Sequence, residues 1–229
     1  MTEAHLARRN AAPAVIVLAK SPEPGRAKTR CSPPCSPRQA ADLARAAIVD
    51  TLAVVCQVPA SRRIVVLEGE PGNWLPPSFE VIAQRTGTLG ERIDGAFADV
   101  GQPAILVGMD TPQMDSMVLT EAIRWMAEQP AEAVVGPADD GGFWAVGLSA
   151  PPPGLFASVP MSREDTCRSL LAALVGHAIT CRALPFLSDF DDFDTARAIA
   201  RTVPGSRFAA AVSRIEQAIE AGVSRGASQ

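Results

Sequence analysis

Short unbroken apolar runs alternate along this chain with longer segments whose apolar residues recur at helical spacing. Val15-Ile16-Val17-Leu18-Ala19 contains no polar residue, as expected of a strand covered on both faces. Ile64 to Leu67, Val81 to Ala83, Ala104 to Val107, Ala133 to Val135, Phe143 to Leu148 and Ile179 to Leu184 read as further strands. Leu43, Ala47, Ile48, Leu52 and Val55 predict a helix reaching about Cys56, opened by Ser36 as N-cap and Pro37 at the first helical position. Leu89 to Val100 sets Ile93, Ala96 and Phe97 on one side of a second helix, and Val118 to Ala127 reads as a third. Ser162, with Asp165 three residues later, resembles a capping box for a helix running to Val175. Asp194 or Thr195 is expected to cap a helix over Ala196 to Arg201. Phe208, Val212, Ile215 and Ile219 make the stripe of a last helix that Gly222 closes.

Alternation of this kind predicts a mostly parallel sheet between helices. Ligands bind such sheets beyond the carboxyl ends of the strands, so the loops 20–30, 84–92 and 108–113 are expected to meet. Pro151-Pro152-Pro153-Gly154 interrupts the pattern without marking a domain boundary. One domain is expected over 13–222, with a flexible N-terminal tail at 1–12 and a C-terminal tail at 223–229.

Composition narrows the classes. The 229 residues, 47% hydrophobic and 20% charged, suit one sizeable globular core. A net charge of −4 argues against a nucleic-acid binder, and no run approaches the roughly 20 apolar residues that cross a bilayer. Arg8 and Arg9 before the first apolar run imitate a signal peptide, but Pro13 interrupts it and no small-x-small site follows. A cytoplasmic protein without nucleic-acid or membrane partners is expected. Cys31, Cys35, Cys56, Cys167 and Cys181 form an odd, scattered set that reads as free thiols. His5, in the expected tail, and His177, at an expected helix end, offer no nucleophile triad.

Charge is distributed unevenly. The chain has two lysines, Lys20 and Lys28, against nineteen arginines. Both fall in Lys20-Ser-Pro-Glu-Pro-Gly25-Arg26-Ala-Lys28-Thr-Arg30, directly after the first strand. Residues 20–45 hold six cations against Glu23 and Asp42, so a positive loop sits in an acidic protein. Lysine offers a mobile point charge where arginine offers a planar fork, and such a loop is a plausible polyphosphate seat.

Three acidic features stand opposite. Asp110, in Gly108-Met-Asp-Thr-Pro112, leaves a buried strand and is placed either to hold a divalent cation or to cap a helix near Met114. Asp189-Phe-Asp191-Asp192-Phe-Asp194 packs four carboxylates into six residues, which costs repulsion unless a cation or water relieves it; Phe190 and Phe193 suggest that this loop is anchored. Asp139-Asp140-Gly141-Gly142 serves as a hairpin turn or as a close backbone approach to a ligand. Gln84-Arg-Thr-Gly87-Thr-Leu89-Gly90 is a strand-to-helix loop rich in backbone donors, fit for a base or ribose or for plain connection.

Taken in order, Val-Leu-Ala-Lys-Ser-Pro-Glu-Pro-Gly-Arg-Ala-Lys-Thr-Arg, Gly-Met-Asp-Thr-Pro-Gln and Gly-Pro-Ala-Asp-Asp-Gly-Gly-Phe-Trp-Ala-Val-Gly-Leu resemble the bacterial radical-SAM/selenodomain-associated transferase family, a glycosyltransferase-A-like group. The resemblance runs from about Pro13 to Val212 and includes Pro160-Met-Ser and Val203-Pro-Gly-Ser-Arg-Phe208. The spacing of Lys20, Lys28, Thr29 and Arg30 is also similar to the start of 2-phospholactate guanylyltransferases. The resemblance implies a single-domain three-layer α/β/α nucleotide-diphospho-sugar transferase fold with a mixed, mainly parallel sheet. It implies that Lys20, Gly25, Arg26, Lys28 and Arg30 hold phosphates, with Lys28 and Asp110 catalytic. Gln84, Gly87, Leu89 and Gly90 would take base and ribose, and Asp139 to Gly142 the acceptor. Asp110 would bind Mg2+ or Mn2+, with Asp192 or Asp194 as second carboxylate. Two departures stand out: Cys31 replaces a leucine, and Asp192-Phe-Asp194-Thr195 lacks the Pro-Glu-Asp that commonly follows in relatives. The expected activity is transfer of NMP from an NTP to a small phosphorylated or acidic acceptor. Sugar transfer from an NDP-sugar and non-catalytic nucleotide sensing are the alternatives.

Overall fold

The computed structural model describes residues 12–226, with side chains of the last helix as far as Ala221. The expected tail at 1–12, apart from Ala12, lies outside these residues, as does His5. In chain order come β1 (Ala14–Lys20), a 3-10 turn (Thr29–Cys31), α1 (Pro37–Cys56), β2 (Arg63–Glu68), β3 (Glu80–Ala83), α2 (Leu89–Val100) and β4 (Ala104–Gly108). Then follow α3 (Ser116–Glu128), β5 (Ala133–Pro137), β6 (Phe143–Leu148), α4 (Thr166–Gly176), β7 (Cys181–Ala183), α5 (Phe193–Thr202) and α6 (Arg207–Gly226). The seven strands form one sheet in the order β3-β2-β1-β4-β6-β5-β7, in which β6 alone runs against its neighbours. This is the mostly parallel α/β arrangement that the alternating pattern predicts, with the mixed character that the resemblance implies.

Side chains of successive strand residues point to opposite faces, and β1 shows the result. Val15, Val17 and Ala19 join Ile48, Leu52 and Val55 of α1 and Leu119, Ile123 and Met126 of α3 on one face. Ala14 and Ile16 join Ile93, Phe97 and Val100 of α2 and Leu170 and Leu174 of α4 on the other. The far side of α1 is covered in turn by α5 and α6, through Leu43, Phe190, Phe193, Ile199, Phe208 and Val212. Helix α1 is therefore buried on two sides, consistent with its eleven buried residues. Phe190 and Phe193 anchor the acidic loop as their placement suggests.

Local chemistry explains most boundaries. Ser36 and Gln39 cap α1 reciprocally, with Pro37 at the first position, and Thr88 with Glu91 does the same for α2. Three expectations are corrected. Ser162 does not cap α4: it lies in the left-handed region at φ 57, the N-cap residue is Asp165 without a side-chain bond, and Thr166 Oγ1 instead accepts from the Arg163 N–H and donates to the Pro160 carbonyl. Asp192 caps α5, with Thr195 reaching back, where Asp194 or Thr195 is expected from the sequence. The last helix continues through Gly222 to Gly226. All five cysteines are free.

Candidate active site

Strand β1 ends at Lys20 and delivers the basic loop to the carboxyl edge of the sheet, beside the end of β4. The expected meeting of loops is observed: the Lys20 N–H points to Met109 Sδ at 3.2 Å, and Gln84 Nε2 donates to the Ala19 and Val66 carbonyls at 2.7 and 3.1 Å. Lys28 adopts φ 48, ψ 43, a left-handed conformation rare outside glycine. That turn aims its side chain inward, where 9% of it remains exposed. Its ammonium lies 2.9 Å from Asp110 Oδ2 and 3.3 Å from Asp191 Oδ1, donates to the Phe190 carbonyl, and sits 4.2 Å above the Phe190 ring. Burial opposes the charge, but Asp110 and Asp191 overcome that penalty and hold the Lys28 pKa above its ordinary value.

Each other cation of the loop also has a carboxylate partner. Lys20 pairs with Glu68 at 3.0 Å, Arg26 with Glu23 at 3.2 Å and Arg30 with Asp191 at 3.0 Å. Glu68 receives Arg92 as well, at 3.0 Å; the Lys20 hydrogen bond leads in drawing its pKa down. The cavity these groups border, about 250 Å³, is lined by Lys20, Arg26, Lys28, Arg30, Asp110 and Asp191 among others.

Asp110 is not a helix cap. Helix α3 begins at Ser116, and Asp115 caps it by accepting from the Met117 N–H at 2.8 Å. Asp110 Oδ1 is buried without a hydrogen-bond partner, as are Thr111 Oγ1 and Gln113 Oε1 in the same loop. A buried acceptor left unpaired costs about 1–3 kcal/mol, and Asp110, which lines the cavity together with Asp191, leaves such an oxygen beside another carboxylate. Such a donor set suits a hard cation. Among the described residues, no three His, Cys, Asp or Glu side chains stand together as a ready metal cage.

The acidic loop contributes Asp191 and Asp189 to this edge. The Phe190 N–H donates to the Asp110 carbonyl at 3.3 Å, and Gln113 Nε2 donates to Ser188 O at 2.5 Å. Asp192 and Asp194 are engaged elsewhere. Asp192 accepts the Thr195 N–H at 2.8 Å, which leads in holding its pKa low. Asp194 is 92% exposed on α5, 3.7 Å from Arg197. The Asp-x-x-Thr spacing of Asp192 and Thr195 is a capping signature legible in the sequence, and it separates Asp191 from the helix that follows.

A second cavity, about 220 Å³, adjoins the first at Asp110 and is bordered by Leu89, Asp140, Phe143, Arg163 and Asp189. Burial, then the charges of Asp110 and Asp140, push the Asp189 carboxyl up to about 7, against the pull of Lys28. Asp140 accepts the Gly142 N–H at 2.8 Å to shape the turn, while Asp139 accepts the Ser188 hydroxyl. The glycines here serve the chain's own packing. A Cβ on Gly141, at φ 86, would stand 2.1 Å from the Glu164 carbonyl oxygen, and one on Gly90 2.2 Å from that of Phe156. Gln84 is likewise engaged, since its Oε1 accepts from Arg92 at 3.1 Å. Gly25 and Gly87 lie in their loops at φ 77 and 124.

The chain belongs to the family described as an uncharacterized protein conserved in bacteria (DUF2064), which matches residues 39–163. No curated protein matches it. It is similar to the solved structure of a candidate nucleotide-diphospho-sugar transferase from Desulfovibrio desulfuricans G20, with 23% identity, 90% of this chain and 98% of that chain covered, and a TM-score of 0.80. It is also similar to a candidate glucose-1-phosphate thymidylyltransferase from Bacillus anthracis (13% identity, 86% and 99% covered, TM-score 0.56). CMP:2-keto-3-deoxy-manno-octonic acid synthetase complexed with CTP is a further match (11%, 83% and 99%, 0.53). The fold is therefore the nucleotide-diphospho-sugar transferase fold. No helix among the described residues is long and apolar enough to cross a membrane.

Proposed function

We propose that this DUF2064 protein is a divalent-metal-dependent nucleotidyltransferase that moves NMP from an NTP to a small acceptor. The observation that carries the reading is the convergence of Lys28, Asp110 and Asp191, far apart in sequence, at the carboxyl edge of the sheet within a cavity bordered by Lys20, Arg26 and Arg30. Four cations are more than an NDP-sugar requires and suit a triphosphate with its departing pyrophosphate. The narrower likeness to 2-phospholactate guanylyltransferases belongs to this reading, as do the thymidylyl transfer named for one similar structure and the CTP bound in another.

Asp110 and Asp191 are the residues that would hold Mg2+ or Mn2+, in place of the pairing of Asp110 with Asp192 or Asp194. The metal would supply charge neutralisation at the transferring phosphate. Lys20, Arg26 and Arg30 bind the β- and γ-phosphates. Asp189, which borders the acceptor cavity, takes the proton of the acceptor as its oxygen bonds to the α-phosphorus. The α–β bridging P–O bond breaks and pyrophosphate leaves with the electron pair. Among the described residues Arg163 is the one cation bordering the acceptor cavity, so a phosphorylated or acidic acceptor directs its anionic group there.

A second reading is sugar transfer from an NDP-sugar, in which Asp189 would activate the acceptor hydroxyl as it does in the first, since a carboxyl ionising near neutrality suits that role. Thermal-shift and turnover screens of NTPs and NDP-sugars with Mg2+ and an acceptor panel separate the readings. Pyrophosphate released from an NTP supports the first, NDP release without pyrophosphate the second. Binding without either product leaves a sensing module.

A further inference from the structure

We propose that in the nucleotide-free protein the Lys28 ammonium is itself the resident cation of the Asp110–Asp191 site, and that a divalent ion enters only by displacing it toward the phosphates. The inference rests on the metal reading above. The Lys28 ammonium donates to Asp191 Oδ1 and to the Phe190 carbonyl and forms an ion pair with Asp110 Oδ2 at 2.9 Å. The Phe190 ring face closes a fourth side at 4.2 Å, where a cation is attracted by the ring quadrupole. Oxygens on three sides and a π-face on another describe a cation site, and its occupant is the chain's own. In this arrangement the Lys28 charge is neutralised by the protein's own carboxylates.

The surroundings set the order of events. A bare divalent ion approaching this cavity meets Lys20, Arg26 and Arg30 as well as Lys28, and it must take the two carboxylates from a buried ammonium. A metal–nucleotide complex carries net negative charge and meets the same cations favourably. Its phosphates offer Lys28 new acceptors at the moment that the metal takes Asp110 and Asp191. Exchange of one cation for the other keeps the carboxylates neutralised throughout and turns Lys28 from an internal counter-ion into a phosphate ligand.

The test is Mn2+ titration of the full chain without nucleotide, followed by the EPR signal of free Mn2+. Lys28→Met keeps length and apolar packing over Phe190 while removing the charge, and it is expected to bind Mn2+ at least about tenfold more tightly than wild type, since one competing unit charge is gone. Adding Asp110→Asn to Lys28→Met should abolish the gain. A folded Lys28→Met variant that binds Mn2+ no more tightly than wild type overturns the exchange. Absence of Mn2+ binding in every form, with nucleotide included, overturns the metal reading instead. Should Lys28→Met fail to fold, wild type answers alone, because lysine labelled with 13C at Cε gives one signal each for Lys20 and Lys28. The signal assigned to Lys28 through a Lys20→Arg variant is expected to lose its Phe190 ring shift when Mg2+ and NTP are added together, and to keep it with Mg2+ alone. A signal that stays in place with both, or that moves fully with millimolar Mg2+ alone, overturns the proposal.

Discussion

The two cavities that share Asp110 treat charge in opposite ways. On the side of the basic loop every cation has a carboxylate within 3.3 Å, and the buried Lys28 has two. On the side of the second cavity Asp110, Asp140 and Asp189 crowd one another, with Arg163 as the single bordering cation among the described residues and itself 3.0 Å from Asp165. The first side is a set of ion pairs ready to change partners. The second eases its crowding by raising the Asp189 carboxyl to about 7, so that it is only partly ionised near neutrality. Substitutions that look alike on paper should therefore act in opposite directions on the two sides.

The largest effect is expected at the shared residue. Asp110→Asn should reduce metal-dependent turnover on the order of 10²–10³-fold, as for loss of a preorganised electrostatic partner, and should lower the melting temperature because Lys28 loses its nearest carboxylate. Normal turnover in a folded Asp110→Asn protein would remove the centre from the proposed mechanism. Lys28→Ala comes next. It leaves Asp110 and Asp191 facing each other, and the expected destabilisation is about 2 kcal/mol, below that of a fully enclosed pair because Asp191 is half exposed to screening water. Chemical denaturation measures it, and an unchanged midpoint would mean that the pairing contributes nothing.

Asp189→Asn is expected to act in the reverse sense. The carboxyl is held near 7 in the folded protein and returns to an ordinary value on unfolding, so the folded state binds its proton more tightly. Stability from this group is full below the unfolded value near 4, falls as pH rises toward 7, and is flat above. The asparagine variant does not titrate. Its melting temperature minus that of wild type should grow in the variant's favour between pH 4 and pH 8, and a difference independent of pH would show that Asp189 ionises normally. The smallest effect belongs to Lys20→Ala. Its pair with Glu68 is substantially exposed and Arg92 still reaches Glu68, so stability should change by less than about 1 kcal/mol, with nucleotide affinity reduced a few-fold by calorimetry.

The fold was legible where its causes are local. Unbroken β1, the Ser36–Pro37 opening of α1 and the stripe of α2 are all written in neighbouring residues, and the sheet followed from their alternation. The site was legible in part. The basic loop and Asp110 stand at strand ends that any reader of the pattern would find. The placement of Asp189, Asp191, Asp192 and Asp194 depends on two things of different reach. The Asp192–Thr195 cap is local and available from spacing. The burial of Phe190 against Phe208, with ring centroids 4.8 Å apart, is a long-range contact that turns Asp191 toward Lys28, and no short window of sequence contains it. Likewise Gly90 and Gly141 looked like ligand approaches, because the backbones of Phe156 and Glu164 that crowd them come from elsewhere in the chain.

Lys28 reaches Asp191 across 163 residues, and Asp110 lies between them in sequence while meeting Lys28 and the Phe190 N–H in space. A contact of that span closes late, since loop entropy must be overcome before it rewards the chain. Partly folded states can hold the strands and still lack this junction. The junction therefore reports complete folding: a ligand that grips Lys28 and Asp191 together binds the native state alone, and by mass action it protects the whole chain rather than one loop.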